Sequence, residues 1–361
     1  MSLSIKHIQL THFRNYHNSS FDFNERVVAI CGLNGVGKTN LLDAVYFLCF
    51  SKSYFSKTDS FSVERGSEGF NVSGDFNRNG YTYPVSVILR ENNKKELWRE
   101  HEQISPFSKH IGQFPAVFIA PDDLILITGG SEERRKYIDT IISQLDQEYL
   151  IQLIRYNKCL QERNRYLKNN AGSGLIDNLV LDSLDAQLVI SGKFILAKRV
   201  LFLSKLSNLV TKLFDYIANG QELPAIEYIP STTNDHYEKD LVLARGKDII
   251  LQRTTIGIHR DDLKFHIHHA PFKESASQGQ KKSLLFSLKL AEFILLKDHF
   301  GFEPILLLDD IFEKLDQERL QRLLKWVCEK NCGQVILSDT HHDRVESSLQ
   351  DISVPFQIIQ L

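Results

Sequence analysis

The residues Gly32-Leu33-Asn34-Gly35-Val36-Gly37-Lys38-Thr39 fit the phosphate-binding pattern G-x-x-x-x-G-K-[ST] without a mismatch. Four fixed positions recur by chance in roughly one chain in a hundred of this length. The preceding run, Arg26-Val27-Val28-Ala29-Ile30-Cys31, is β-branched and predicts a buried strand. The following stretch, Asn40 to Phe50, places Leu41, Leu42, Val45, Tyr46 and Leu48 at helical spacing. Strand, glycine loop and helix in that order turn backbone N–H groups inward, and the helix N-terminus adds a positive partial charge. A polyphosphate fits such a cradle. Lys38 is expected to reach the β- and γ-phosphates and Thr39 to ligate Mg²⁺, with Asn34 and Asn40 completing the nucleotide-binding set.

A second acidic group completes the chemistry. Glu303-Pro304-Ile305-Leu306-Leu307-Leu308-Asp309-Asp310 predicts a central parallel strand that ends in two carboxylates. Ligands bind at that edge of open α/β sheets. Asp309 is placed to hold Mg²⁺, and Asp310 to polarise an attacking water as general base. Upstream, Ser277-Gln278-Gly279-Gln280 opens a helix with the apolar stripe Leu284, Leu288, Ala291 and Leu295. Ser277 is a credible N-cap, and the free N–H groups of that helix start form a second anion site. After the strand-like Gln334-Val335-Ile336-Leu337-Ser338, His341 reads either as the sensor of the γ-phosphate or as an ordinary surface histidine.

These residues need a scaffold. Leu3 to Leu10 and Phe21 to Ile30 suggest paired strands feeding the loop. Phe61 to Arg90 alternates apolar and polar residues around Asn77-Arg78-Asn79-Gly80, and Ala116 to Ala120 makes another strand. Ser131 is read as the cap of a helix with Glu132 and Glu133 in its first turn, its apolar stripe running from Ile138 to Leu150. Asn169 to Gly174 reads as a turn, and a second helix runs from about Asp177 to Ile217, giving an antiparallel hairpin. Lys193, Lys198, Arg199, Lys205 and Lys212 lend it basic character, either a solvated face or an arm for a partner or DNA. Strands are expected again at Ala225 to Ile229 and Asp248 to Arg253, with helix and strand alternating to the end. The expected fold is an α/β head, residues 1–125 and 223–361, interrupted by a helical insertion, 126–222.

Composition sets the remaining bounds. The 361 residues are 42% hydrophobic and 24% charged, which suits one large domain or two smaller ones. A formal net charge of -2 means that a nucleic-acid surface must be local or form on assembly. The five scattered cysteines, Cys31, Cys49, Cys159, Cys328 and Cys332, argue against a disulfide framework and suit a reducing cytosol. The N-terminus lacks a signal peptide's apolar stretch, and no apolar run reaches membrane-spanning length. The expectation is a cytoplasmic protein with no membrane partner.

The chain resembles the RecF family, bacterial repair ATPases related to the SMC and ABC families. The resemblance covers nearly the whole length. It is carried by Leu10-Thr11-His12-Phe13-Arg14-Asn15-Tyr16, by the phosphate loop, and by Lys52-Ser53-Tyr54-Phe55-Ser56-Lys57-Thr58-Asp59. Further along it rests on Pro121-Asp122-Asp123-Leu124 with Arg134-Arg135, on Gly257-Ile258-His259-Arg260-Asp261-Asp262-Leu263, on Ala276 to Gln280, and on Leu308-Asp309-Asp310 through Leu315-Asp316. Ile258 stands where the family has proline, Lys281-Lys282 follow the signature, and Glu313-Lys314 vary before the D-loop. No Q-loop glutamine is evident after Ala116–Ala120.

The resemblance implies an ABC/SMC-type P-loop ATPase head. In that family pattern the segment Ser277, Gln278, Gly279, Gln280 is a signature that completes the γ-phosphate site of a second subunit, and Arg14 contacts the nucleotide. ATP and Mg²⁺ would then join two copies into a symmetric homodimer whose gathered basic residues grip double-stranded, gapped or junction DNA. Loading of recombinase, with RecR as partner, is implied by the resemblance alone. Asp310 is one methylene shorter than the glutamate common in ABC enzymes, so hydrolysis should be slow. Two rival readings share the phosphate loop: a transporter's ATP-binding subunit, and an interaction protein that keeps ATP unhydrolysed. The long helical insertion, the S-x-G-Q form of the signature and the F-R-N-Y start oppose the first.

Overall fold

The computed structural model describes residues 2–170, 176–218, 223–312, 317–330 and 333–361. Along the chain, strands β1 (Leu3–Phe13), β2 (Tyr16–Asp22) and β3 (Val27–Cys31) lead to helix α1 (Lys38–Phe50). Strands β4 (Phe70–Arg78), β5 (Tyr81–Leu89), β6 (Lys95–Arg99), β7 (Glu102–Gln103) and β8 (Ala116–Ile119) follow. Next come α2 (Ile125–Thr128), α3 (Ser131–Leu145), α4 (Gln147–Asn170), α5 (Asn178–Ala218), β9 (Ala225–Ile229), α6 (Tyr237–Leu243) and α7 (Arg245–Leu251). The remainder is β10 (Asp262–Ile267), β11 (Ala270–Pro271), α8 (Phe272–Ser275), α9 (Gln278–Phe300), β12 (Ile305–Leu308), α10 (Gln317–Lys325), β13 (Val335–Asp339), α11 (His342–Gln350) and β14 (Phe356–Gln360).

Two compact units result. The first contains Met1–Leu124, Lys212–Gln221 and Ser277–Leu361, and the second Ile125–Thr211 and Glu222–Ala276. The stretch 223–276, assigned by its strand pattern to the head, therefore clusters with the helices.

The first unit holds a parallel sheet in the order β14-β3-β13-β12-β8 and an antiparallel sheet in the order β2-β1-β4-β5-β6-β7. Every residue of β3 and β12 is buried, as expected for strands covered on both faces. Helix α1 packs on strands of both sheets, so its apolar positions run nearly all round rather than along one stripe. The core accordingly joins Ile8, Phe13 and Phe76 of one sheet to Ile30, Leu307 and Ile336 of the other through Val45 and Phe47. The stretch Phe21 to Ile30, expected as one strand, divides between β2 and β3 in different sheets; Phe23 to Arg26 carry the chain across.

In the second unit α4 and α5 run antiparallel, tied by Ser191 to Gln152 at 2.9 Å and by Arg163 to Asp185 at 2.7 Å. The expected single helix from Ser131 to Asn169 is two helices, because Asp146 turns extended (φ -140°) and its carboxylate takes the Tyr149 N–H at 3.0 Å. Gly130 is the N-cap, and Ser131 is the first residue of the helix. The strand expected at Asp248 to Arg253 falls on helix α7 instead. A short apolar run fits either period, and here the buried Asp248 carboxylate settles it by holding Arg163 Nη1 at 2.7 Å and the Thr255 N–H at 2.9 Å. The expected regular alternation is also interrupted by an antiparallel sheet, β11-β10-β9. Residues 171–175 of the expected turn and Glu313, Lys314, Leu315 and Asp316 lie outside the described residues.

Arg199 is not part of a basic face. It is 1% exposed and bonds Asp139, the Ile258 carbonyl and Asp261, at 2.9, 2.8 and 3.0 Å respectively. Lys198 is paired with Asp146 at 2.7 Å. The Gly257–Leu263 motif thus supplies partners for buried charge: Asp262 pairs with Arg134 at 2.8 Å, and the Asp261 carbonyl takes Arg135 at 2.8 Å.

Candidate functional site

The phosphate loop spans the end of β3 and the start of α1. Gly35 and Gly37 have φ of 86° and 119°, left-handed values that let the chain curl without a Cβ penalty. Lys38 is buried, and its Nζ donates to the carbonyls of Gly32 at 2.7 Å and Leu33 at 2.9 Å. The ammonium group is therefore folded into the concavity of the loop. Leu33, Asn34 and Gly35 are exposed at the rim, and Val36 is half-buried behind them.

Thr39 faces Asp309. Its hydroxyl donates to Oδ1 at 3.0 Å and to Oδ2 at 2.9 Å. Burial pushes the Asp309 carboxyl above its ordinary pKa, opposed by hydrogen bonds from Ser338 and Thr39. A hydroxyl beside a carboxylate is a hard-oxygen pair, the donor set that Mg²⁺ takes. Asp310 follows in a left-handed conformation, φ 48°, with its N–H on Ser338 Oγ at 3.1 Å.

Ser338 is a residue the sequence did not flag. Its hydroxyl donates to Asp309 Oδ1 at 2.6 Å while accepting from the Asp310 backbone N–H, so one side chain ties the Asp309 carboxylate to the main chain of the next residue. Its only sequence signal is its place at the end of a strand-like run. Asn15 and Tyr16 were also missed as individual residues. Asn15 Nδ2 donates to the Val36 carbonyl at 2.9 Å, Tyr16 Oη donates to the Gly37 carbonyl at 3.0 Å, and Asn40 Nδ2 donates to Asn15 Oδ1 at 2.7 Å. The turn between β1 and β2 thereby braces the loop.

Arg14, in the same turn, is anchored on α1. Its Nη2 donates to Asp43 Oδ2 at 2.8 Å and Ser53 Oγ at 2.9 Å. Asp43 is fully buried on α1, which raises its pKa, and the Tyr54 N–H also bonds it at 2.7 Å. Tyr54 in turn donates to Asp123, whose other oxygen takes the Ala120 N–H at 2.9 Å and lies 3.3 Å from Lys289 Nζ. The Lys52–Asp59 and Pro121–Leu124 motifs thus meet in a structural network. A small cavity lined by Ala120, Pro121, Leu124, Lys282, Leu285 and Asp309 opens beside the acid.

The signature residues stand apart from this bonding. Ser277 is exposed and caps α9 in a reciprocal box with Gln280: the Gln280 N–H donates to Ser277 Oγ at 3.2 Å, and the Ser277 N–H donates to Gln280 Oε1 at 2.7 Å. Gln278 is exposed, and a Cβ at Gly279 would collide with the Arg319 guanidinium. His341 caps α11, 67% exposed at its side chain, with Nδ1 paired to Thr340 Oγ1 at 2.7 Å. The structure joins Lys38, Thr39, Asp309 and Asp310 at one sheet edge; Ser277 and His341 bond only locally in it.

With this geometry in place, comparison with known proteins is decisive. A family model described as an AAA domain matches residues 7–322. The DNA replication and repair protein RecF of Cytophaga hutchinsonii is 38% identical over 98% of this chain and 94% of its own length. That of Flavobacterium johnsoniae is 38% identical over 99% of this chain and all of its own. The chain belongs to the RecF family. A solved structure described as the recombination mediator RecF with ATP, in the RecFOR pathway, superposes with a TM-score of 0.88 at 30% identity, covering 94% of this chain and 92% of that one. An Smc head domain from Pyrococcus furiosus shares the fold at 17% identity and a TM-score of 0.54. The fold is thus that of RecF and of Smc head domains. Among the described residues no helix is long and apolar enough to cross a membrane.

Proposed function

We propose that this chain is an ATP-switched DNA clamp of recombinational repair, working in the cytoplasm. The observation that carries the reading is the division of labour just described. Lys38, Thr39 and Asp309 share one bonded edge, while Ser277 is exposed at the head of α9 and free of the loop's hydrogen bonds.

Lys38 would exchange the Gly32 and Leu33 carbonyls for the β- and γ-phosphates of ATP. The backbone from Gly32 to Gly37 and the side chains of Asn34 and Asn40 would line the triphosphate, with Arg14 acting from its anchor on Asp43. Thr39 and Asp309 would hold Mg²⁺, which when bound neutralises charge on the phosphates. Ser277, Gln278, Gly279 and Gln280 of a second copy would close over the γ-phosphate, making contacts isologous and the dimer symmetric. His341 would report the γ-phosphate. Asp310 would take the proton of the attacking water, and its short side chain supports slow, Mg²⁺-dependent hydrolysis suited to a timer.

DNA would be gripped by basic residues gathered on dimerisation, mainly through phosphates, so that binding is salt-sensitive and weakly sequence-specific. A RecR protein and a recombinase are the proposed downstream partners. Light scattering with and without ATP tests the assembly. Wild type should double in mass with ATP, whereas Ser277→Arg should stay monomeric while still binding nucleotide. A mass indifferent to both changes sinks the clamp. ATP turnover equal in wild type and Lys38→Met removes the enzyme label.

A further inference from the structure

Among the described residues one group gathers three metal-ligating side chains: His12, His17 and Glu64, with ligand atoms all within 4.8 Å of one another. The geometry points to a zinc site there, with His12 Nδ1, His17 Nδ1 and Glu64 Oε2 as protein ligands and water in the fourth position.

Backbone pairing holds the three in place. His12 lies on β1 and His17 on β2, facing across the hairpin between the pairs Thr11–Asn18 and Phe13–Tyr16. Their rings stand edge to face, 4.7 Å apart. Glu64 comes from a third segment, tied to β1 by the bridge between Phe13 and Val63, by its own N–H on the His12 carbonyl at 2.8 Å, and by Arg14 N–H on the Ser62 carbonyl at 2.8 Å. The ligands therefore need no backbone rearrangement to meet.

Both imidazoles converge on one carboxylate oxygen. His12 Nδ1 lies 2.7 Å and His17 Nδ1 3.1 Å from Glu64 Oε2. Ser67 Oγ joins them, 3.1 Å from His12 Nδ1 and 3.3 Å from the same oxygen. These contacts fix the Glu64 carboxylate toward both rings. A tetrahedral zinc bonded at about 2.0–2.1 Å sets its ligand atoms roughly 3.3 Å apart. The two imidazole–carboxylate pairs would open by about half an ångström or less, while the imidazole nitrogens, within 4.8 Å of each other, would close toward the same spacing by side-chain torsion. Two neutral imidazoles and one carboxylate suit zinc; magnesium and calcium prefer all-oxygen shells. The His17 side chain is 78% exposed, which leaves an entry path and room for the water ligand.

The location gives the site a consequence. His12 and His17 flank the turn whose Asn15 and Tyr16 brace the phosphate loop. Zinc would pin the base of that turn.

The test titrates metal-free full-length protein with Zn²⁺ against a chromophoric chelator. Wild type, His17→Ala, Glu64→Gln and a His268→Ala/His269→Ala control are compared, with Co²⁺ substitution to report coordination. Wild type and control should bind one equivalent and give a tetrahedral cobalt spectrum. His17→Ala and Glu64→Gln should lose at least about tenfold in affinity, together with that spectrum. No zinc retained by wild type, equal binding in all four proteins, or a loss confined to the control would each overturn the site and leave a hydrogen-bonded triad.

Discussion

Thr39 Oγ1 donates to both carboxylate oxygens of Asp309, at 3.0 and 2.9 Å, across 270 residues of sequence. The contact joins the start of α1 to the end of β12, two strands away from β3 in the parallel sheet. It places a buried acid against the first turn of the helix that follows the glycine loop. That position has a cost in the folded protein, because burial opposes ionisation.

Asp309→Asn keeps the shape and an acceptor for Thr39 and Ser338 but removes the buried charge. The melting temperature should hold or rise, while ATP hydrolysis falls on the order of a hundredfold. Differential scanning calorimetry and phosphate release measure the two. Turnover unchanged alongside a lower melting temperature would show that Asp309 is only structural.

The braces of the loop make a second prediction. Tyr16→Phe removes the hydroxyl that donates to the Gly37 carbonyl, a loss of about 1 kcal/mol or roughly fivefold in nucleotide affinity. Gly37→Ala should be far worse. Its φ of 119° excludes a Cβ, and that Cβ would lie 2.7 Å from Asn15 Nδ2 and from Tyr16 Oη. Fluorescent-nucleotide titration should show Gly37→Ala binding nothing even when combined with Tyr16→Phe, since the backbone strain remains.

Glu292 predicts a pH dependence. Burial pushes its carboxyl from 4.5 up to about 7, with Lys289 opposing the rise. Below 4.5 both folded and unfolded chains are protonated there, so nothing is lost. As pH rises from 4.5 through about 7, the unfolded chain ionises first and stability falls, by roughly 3 kcal/mol at most. Glu292→Gln should therefore match wild type near pH 4.5 and exceed it above pH 7 in urea denaturation. A gap that does not widen with pH would refute the assignment.

Arg199 should behave as a core residue. Arg199→Ala leaves Asp139 and Asp261 without their buried counter-charge, which costs about 3–5 kcal/mol. Urea unfolding of the variant reads this loss. A stable variant that loses DNA affinity would instead return Arg199 to a binding face.

Local signals made much of the site legible. The spacing of Gly32, Gly37, Lys38 and Thr39, the aliphatic run ending at Asp309, and the Ser277–Gln280 capping box each lie within a few residues, where backbone periodicity and turn chemistry act directly. The same reasoning went astray where short apolar runs fit two periods, at Asp248 to Arg253, and where a single aspartate, Asp146, broke a helix.

The glycine loop, the acidic strand, the capped helix at Ser277 and the family to which they point are all written locally in the chain. It took the folded chain to bring Ser338 to the Asp309 carboxylate and the Asp310 N–H, Asn15 and Tyr16 to the loop, Arg199 inward, and His12, His17 and Glu64 together. The reason is sheet register. Parallel pairing sets Asp339 beside Cys31 and Leu337 beside Leu308, so the neighbours of a site residue come from strands tens to hundreds of residues away, a distance over which no local pattern carries information.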